Sequence, residues 1–162
     1  MSDSALKLNK TSFNTSDLIN RVVETLKPKA DKAGVEILVK LENAPKFFYA
    51  DSNRLTQVIG DILDNAIRFS AELCTVVVSA SGDDNDITFT IVDQGIGMIE
   101  DQVQIAEEPF RQVDRSLSKI AYGMGLGLTL SRLFVELHGG ELKIQSTYGE
   151  GTIVGIKIPS GS

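Results

Sequence analysis

At 162 residues and 42% apolar composition the chain can form one domain, since that length buries roughly 68–70% of the unfolded surface. Its net charge of −6 argues against a nucleic-acid-binding face, which would be basic, and any anionic ligand must be neutralised by local groups or a metal ion. Cys74 is the sole cysteine, which excludes an internal disulfide; no apolar run approaches the ~20 residues that span a bilayer, and Met1–Lys10 is too polar for a secretory signal. The expected setting is the cytoplasm, with no direct membrane contact by these residues, although a longer parent could be membrane-anchored.

In chain order, Met1–Ser4 reads as a frayed start, followed by an edge strand through Leu6, Leu8 and Phe13. Asn14-Thr15-Ser16-Asp17 supplies helix-capping chemistry. A first helix to about Asp31 then carries Leu18, Val22, Leu26 and Ala30 on one face, and Pro28 within it predicts a kink or an early end. Gly34 stops the segment, Val35–Leu41 alternates as a strand, and a short apolar stretch, Phe47-Phe48-Tyr49, follows Pro45. Asp51-Ser52-Asn53 caps a second helix, Arg54 to about Phe69, whose core face is Leu55, Val58, Ile59, Ile62, Leu63 and Ala66.

Leu73–Ala80 and Asp86–Val92 read as two strands joined through Gly82-Asp83-Asp84-Asn85, with Cys74 a buried strand residue. Asp93 to Tyr122 is irregular and polar, and so long a loop in a compact domain is functional or disordered. A third helix from about Leu126 to Leu137 ends at Gly139-Gly140. Glu141–Thr147 and Thr152–Ile158 close the chain as a strand pair around Tyr148-Gly149-Glu150-Gly151. The class is α/β or α+β, with the strands mostly in one sheet and the helices on a single face.

Asp61, Asn65 and Arg68, spaced by four and then three, form one polar stripe on the second helix, roughly 120° from its apolar centre. A carboxylate, an amide and a guanidinium in register can hold Mg²⁺ and phosphate, but on spacing alone an ordinary solvated helix face is the preferred reading. Two glycine clusters follow, Asp93-Gln94-Gly95-Ile96-Gly97 at a strand end and Gly123-Met124-Gly125-Leu126-Gly127-Leu128 at a helix start. Glycines let backbone approach a ligand, and N–H groups at a helix start favour phosphate. Neither is a P-loop, and Met98 and Leu128 stand where Gly-x-Gly-x-x-Gly needs its third glycine. Singly, each cluster is as readily a turn as a site.

The ordered set says more. Asp64-Asn65-Ala66-Ile67-Arg68-Phe69-Ser70, Asp93-x-Gly95-x-Gly97, Glu108-Pro109-Phe110 and Gly123-x-Gly125-x-Gly127 resemble, in order, the four boxes of histidine kinase ATP-binding domains. Arg54-Leu55-x-Gln57-Val58, His138-Gly139-Gly140 and Gly151-Thr152 match the flanks. The resemblance runs from about Phe13 to Pro159. It implies residues 1–12 as a linker remnant and edge strand, 13–159 as the catalytic domain and 160–162 as a tail. The implied fold is a two-layer α/β sandwich, with a mixed, mainly antiparallel sheet, helices on one face and a mobile ATP lid.

What the resemblance implies for function is ATP and Mg²⁺ binding in two-component signalling. Asn65 would ligate Mg²⁺, Arg68 would bind phosphate, and Phe69 would pack by the adenine. Asp93 would accept a hydrogen bond from the adenine amino group, with Gly95 and Gly97 giving the base room and Thr152 on its side. Gln112 and Lys119 would touch phosphate from the lid, and Gly123, Gly125, Leu126 and Gly127 would form the phosphate-facing hinge. Phe110 reads as a plug anchoring the lid, Met98 and Met124 as packing residues, and Glu107-Glu108 and Asp83-Asp84-Asn85-Asp86 as solvated.

Two departures stand out. Asp61 occupies a position where the family often has asparagine, and it is expected to order Mg²⁺ or polarise the acceptor. No His-Glu/Asp-hydrophobic-Arg/Lys-x-Pro acceptor box exists, and His138, the only histidine, reads as a structural or capping residue at a helix end. The expected partners are therefore a dimerisation domain carrying the phosphoacceptor histidine and a response regulator, with the isolated chain inactive in autophosphorylation. The competing readings are a degenerate module that binds nucleotide or a response regulator without turnover, and an ATPase or anti-sigma serine kinase of the same fold.

Overall fold

The computed structural model describes residues 7–70, 72–94, 127–147 and 150–161. Its first strand, β1 (Thr11–Asn14), is shorter than the sequence suggests: Leu8 precedes it and Leu6 lies outside the described residues. It pairs antiparallel with β3 (Phe47–Ala50) as a separate two-stranded sheet, where Phe13 meets Phe48 edge-on at 6.4 Å.

Between them, α1 (Thr15–Ala33) opens on an Asn14 cap whose side chain accepts the Asp17 N–H at 2.9 Å. It does not end at Pro28. Both Pro28 and Glu24, whose carbonyl loses its N–H partner there, lie on the exposed face, so water can serve that carbonyl. The helix stops at Gly34, whose left-handed φ of 71° suits glycine.

The five-stranded sheet has the order β2 (Glu36–Asn43), β4 (Thr75–Gly82), β5 (Asp86–Asp93), β7 (Gly151–Pro159), β6 (Glu141–Thr147). Only the β2–β4 pairing is parallel, so the sheet is mixed and mainly antiparallel. Its inner face is in register across strands: Val78 opposite Ile91 opposite Val154 opposite Ile144, then Ala80, Phe89, Ile156 and Leu142. All eight are buried.

Onto that face pack α1, α2 (Ser52–Phe69) and α3 (Gly127–Leu137), giving two layers with the three helices of the described residues on one side. α2 supplies the largest share of the core, with Leu55, Val58, Ile59, Ile62 and Leu63 all at most 1% exposed. Cys74 sits one residue before β4 and is only half-buried, not inside a strand. No helix among the described residues is long and apolar enough to cross a membrane.

Candidate functional site

The apolar inner face of the sheet changes character at one end. Beyond the Ile91–Val154–Ile144 row, the next inward-facing residues in register are Asp93, Thr152 and Ser146. Asp93 and Thr152 are each only 9% exposed. Burying a carboxylate and a hydroxyl where apolar residues would pack costs stability unless they are partnered, which makes this row a candidate site. Ser146 Oγ donates to the Gly151 carbonyl at 3.0 Å and lies 2.9 Å from Thr152 Oγ1.

Gly151 permits this row. Its φ is +120°, and a Cβ there would fall 2.2 Å from the Asp93 carbonyl oxygen. Only glycine lets β7 begin that close to the end of β5.

The C-terminal part of α2 reaches the same end of the sheet. Only residues 70–74 separate α2 from β4, whose start pairs with the end of β5, and Cys74 Sγ lies 3.9 Å from the Gln94 carbonyl oxygen. Here the structure draws the polar stripe together. Arg68 Nη2 donates to Asn65 Oδ1, and its guanidinium lies 5.4 Å from the centre of the Phe69 ring. Asp64, not singled out in the sequence, joins the cluster through Arg68 at 4.0 Å and through Lys29 of α1. Asp61, one turn earlier, has its pKa raised, first by burial and then by the neighbouring Asp64 charge.

α3 is fixed antiparallel to α2 by two contacts. The buried His138 at its C-terminal end accepts the Asp51 backbone N–H on Nε2 at 3.1 Å, while its Nδ1–H donates to the Phe134 carbonyl at 2.8 Å. One turn back, Phe134 lies under Arg54, 4.7 Å from the guanidinium carbon. From those two contacts α3 runs back along α2, so its start at Gly127 lies toward the C-terminal half of α2, which carries Asn65.

Asp51 is the joint's other half: its carboxylate caps α2 at Arg54 N, 3.1 Å away, and accepts Asn9 N at 2.8 Å. With both ring nitrogens engaged, His138 is a structural clasp.

Of the residues nominated from sequence, Asp61, Asn65, Arg68, Phe69, Asp93, Thr152 and the start of α3 at Gly127 gather at one end of the sandwich. Gly95, Gly97, Gln112, Lys119, Gly123, Gly125 and Leu126 lie outside the described residues, as do Met98, Glu107, Glu108, Phe110 and Met124. A cleft of about 370 Å³ between the end of α1 and the start of β2, lined by Val23, Lys27, Gly34 and Ile37 among others, shares none of these residues.

Among the described residues no three His, Cys, Asp or Glu side chains converge as a self-sufficient metal cage. One amide oxygen on Asn65 with Asp61 a turn away does fit Mg²⁺, which takes one or two protein oxygens and completes its shell with phosphate and water. Ser146 and Lys29 escaped sequence reasoning, and Asp64 was read only as part of its motif, with no ion pair assigned to it. The only available signal was β6–β7 register for Ser146, and none existed for the α1–α2 ion pair.

Residues 50–162 match the family described as histidine kinase-, DNA gyrase B-, and HSP90-like ATPase. The circadian input-output histidine kinase CikA of Synechococcus elongatus is 34% identical over 149 residues, covering 91% of this chain and 20% of that protein. The cell-division control histidine kinase PdhS of Brucella anthropi is 34% identical over 164 residues, covering 96% of this chain and 16% of that protein. Full-length ShkA, solved in complex with AMPPNP, has a TM-score of 0.79 at 25% identity, over 96% of this chain and 32% of that chain. The chain thus spans about a fifth or less of the length of both curated relatives.

Proposed function

The chain belongs to the histidine kinase-, DNA gyrase B- and HSP90-like ATPase family, and on that premise we propose that it binds ATP with Mg²⁺ and presents the γ-phosphate to a histidine on a dimerisation domain outside these 162 residues. The observation that carries the proposal is the buried Asp93–Thr152 row, set at the same end of the sandwich as Asn65, Arg68 and the start of α3. Asp93 accepts from the adenine amino group, with Phe69 beside the base. Asn65 and Arg68 take the phosphate end, and Asp61 orders the metal from the preceding turn. Gly95, Gly97, Gln112, Lys119, Gly123, Gly125, Leu126 and Gly127 complete the nucleotide contacts, and residues 13–159 form the working domain.

Bound Mg²⁺ supplies neutralisation of phosphate charge. Arg68 meanwhile holds Asn65 Oδ1, so Asn65 is freed for a metal when the guanidinium turns to a phosphate. Phosphoryl transfer demands alignment and charge neutralisation more than covalent help, which suits a site without a nucleophile. A response regulator is the downstream partner on this reading, and the parent signals as a sensor kinase at the cytoplasmic side.

Calorimetric titration with AMPPNP, with and without Mg²⁺, tests the proposal. Saturable binding is expected, weakened ~10- to 100-fold by Asp93→Asn, which exchanges one acceptor oxygen for a donor. Asn65→Ala should abolish most of the Mg²⁺ enhancement. A folded protein that binds no nucleotide would leave a regulatory module that docks a response regulator without turnover.

A further inference from the structure

Lys29 of α1 reaches across to α2 and places its Nζ 2.5 Å from Asp64 Oδ1. That oxygen is buried and accepts no well-aligned hydrogen bond, so the lysine charge is its chief compensation. Among the described residues the only other cation within 4.0 Å of this carboxylate is Arg68, whose Nη2 lies 4.0 Å from Oδ2. The same Nη2 donates to Asn65 Oδ1. One guanidinium nitrogen therefore stands between Asn65, the residue given to Mg²⁺, and an acid one position earlier in the helix. How strongly Asp64 claims it depends on how well Lys29 neutralises Asp64.

We infer that Lys29 is a positioning residue for phosphate recognition: it neutralises Asp64 and so leaves the Arg68 guanidinium available to a phosphate. The inference rests on the ATP reading above and deepens it, since Lys29 lies outside every motif that carries that reading. Without Lys29 the buried oxygen of Asp64 loses its counter-charge, and Arg68 is the cation left to supply one. A guanidinium drawn into a close pair with the carboxylate four positions earlier is withdrawn from the ligand. A phosphate must then break that pair before it binds, so affinity falls although Lys29 touches no nucleotide.

Titration of the purified chain with AMPPNP and Mg²⁺ tests this, beside adenosine, a probe without phosphate, followed by ligand-observed NMR. Lys29→Met should weaken AMPPNP by ~2- to 5-fold, the worth of a part-exposed ion pair, and leave adenosine unchanged. Lys29→Arg keeps the charge and should restore wild-type affinity. In an Asp64→Asn background no acid competes for Arg68, and there Lys29→Met should cost nothing. In an Arg68→Met background it should likewise add no loss. A circular dichroism spectrum matched to wild type at the titration temperature confirms that each variant is folded. Equal weakening of adenosine and AMPPNP would assign Lys29 to the scaffold alone and overturn the inference. A loss that persists in Asp64→Asn or in Arg68→Met also overturns it, because Lys29 would then act on the nucleotide by another route. Unchanged AMPPNP affinity in Lys29→Met overturns the inference and leaves the nucleotide site standing, whereas a wild type that binds no nucleotide fails the ATP reading itself.

Discussion

His138 shows how one residue can be legible in type and illegible in partnership. The sequence places it at a helix end, but its Nε2 accepts from Asp51, 87 positions earlier in the chain, and only the fold reveals that. Protonation would set an N–H against the Asp51 N–H. Burial lowers the His138 pKa most, Lys10 adds to that, and the Phe134 carbonyl and Asp51 oppose it without reversing it. The unfolded chain therefore takes up a proton near the ordinary imidazole value of 6.5 while the folded chain does not. Stability is fully present above that value and is lost as pH falls from it toward the depressed folded value. Thermal melts should show the wild type losing a few degrees more between neutral and mildly acidic pH than His138→Gln, which keeps an acceptor but cannot titrate. Parallel pH profiles for the two proteins would refute the neutral clasp. Ser146 was illegible for a different reason: a serine in a strand carries no signal until its register with Thr152 is known.

The elements themselves follow from the sequence where capping and periodicity agree. Asn14 and Asp51 start α1 and α2, Gly34 and Gly139 end α1 and α3, and the strands alternate with the buried residues inward. The sequence misled where a local rule met a tertiary context: α1 does not end early at Pro28, which is tolerated on an exposed helix face, and among the described residues Leu8 has no registered strand partner. The β5–β7 junction offers the sharpest test at this scale. Gly151→Ala must push β7 away from Asp93, because the new Cβ would lie 2.2 Å from the Asp93 carbonyl at a φ few side chains tolerate. Strain of this kind costs ~1–3 kcal/mol, or a melting temperature lower by roughly 2–12 °C in a chain of this length. AMPPNP affinity should fall further than stability alone explains, since Asp93 and Thr152 both move. An Ala variant that melts and binds like wild type would show that the two strand ends are not tightly coupled.

For the whole molecule, the histidine count decides what the chain can do by itself. One histidine exists, and the fold spends both of its nitrogens holding α3 to α2, at the end of α3 opposite the one that faces the candidate nucleotide site. A group so engaged cannot attack a γ-phosphate without dismantling the joint that positions α3. On the proposed function, the phosphoryl group therefore goes to a histidine outside these 162 residues. Incubated alone with γ-labelled ATP, the chain should acquire no acid-labile phosphate and show little steady hydrolysis. Adding a two-helix dimerisation segment that carries an acceptor histidine should place label on that segment, and His138→Gln should leave the transfer intact under conditions where it stays folded. Label on the chain itself that disappears in His138→Gln would overturn the structural role of His138. Steady hydrolysis without any labelled acceptor would instead assign the chain to the ATPase branch of its family, in which water replaces the histidine as the nucleophile.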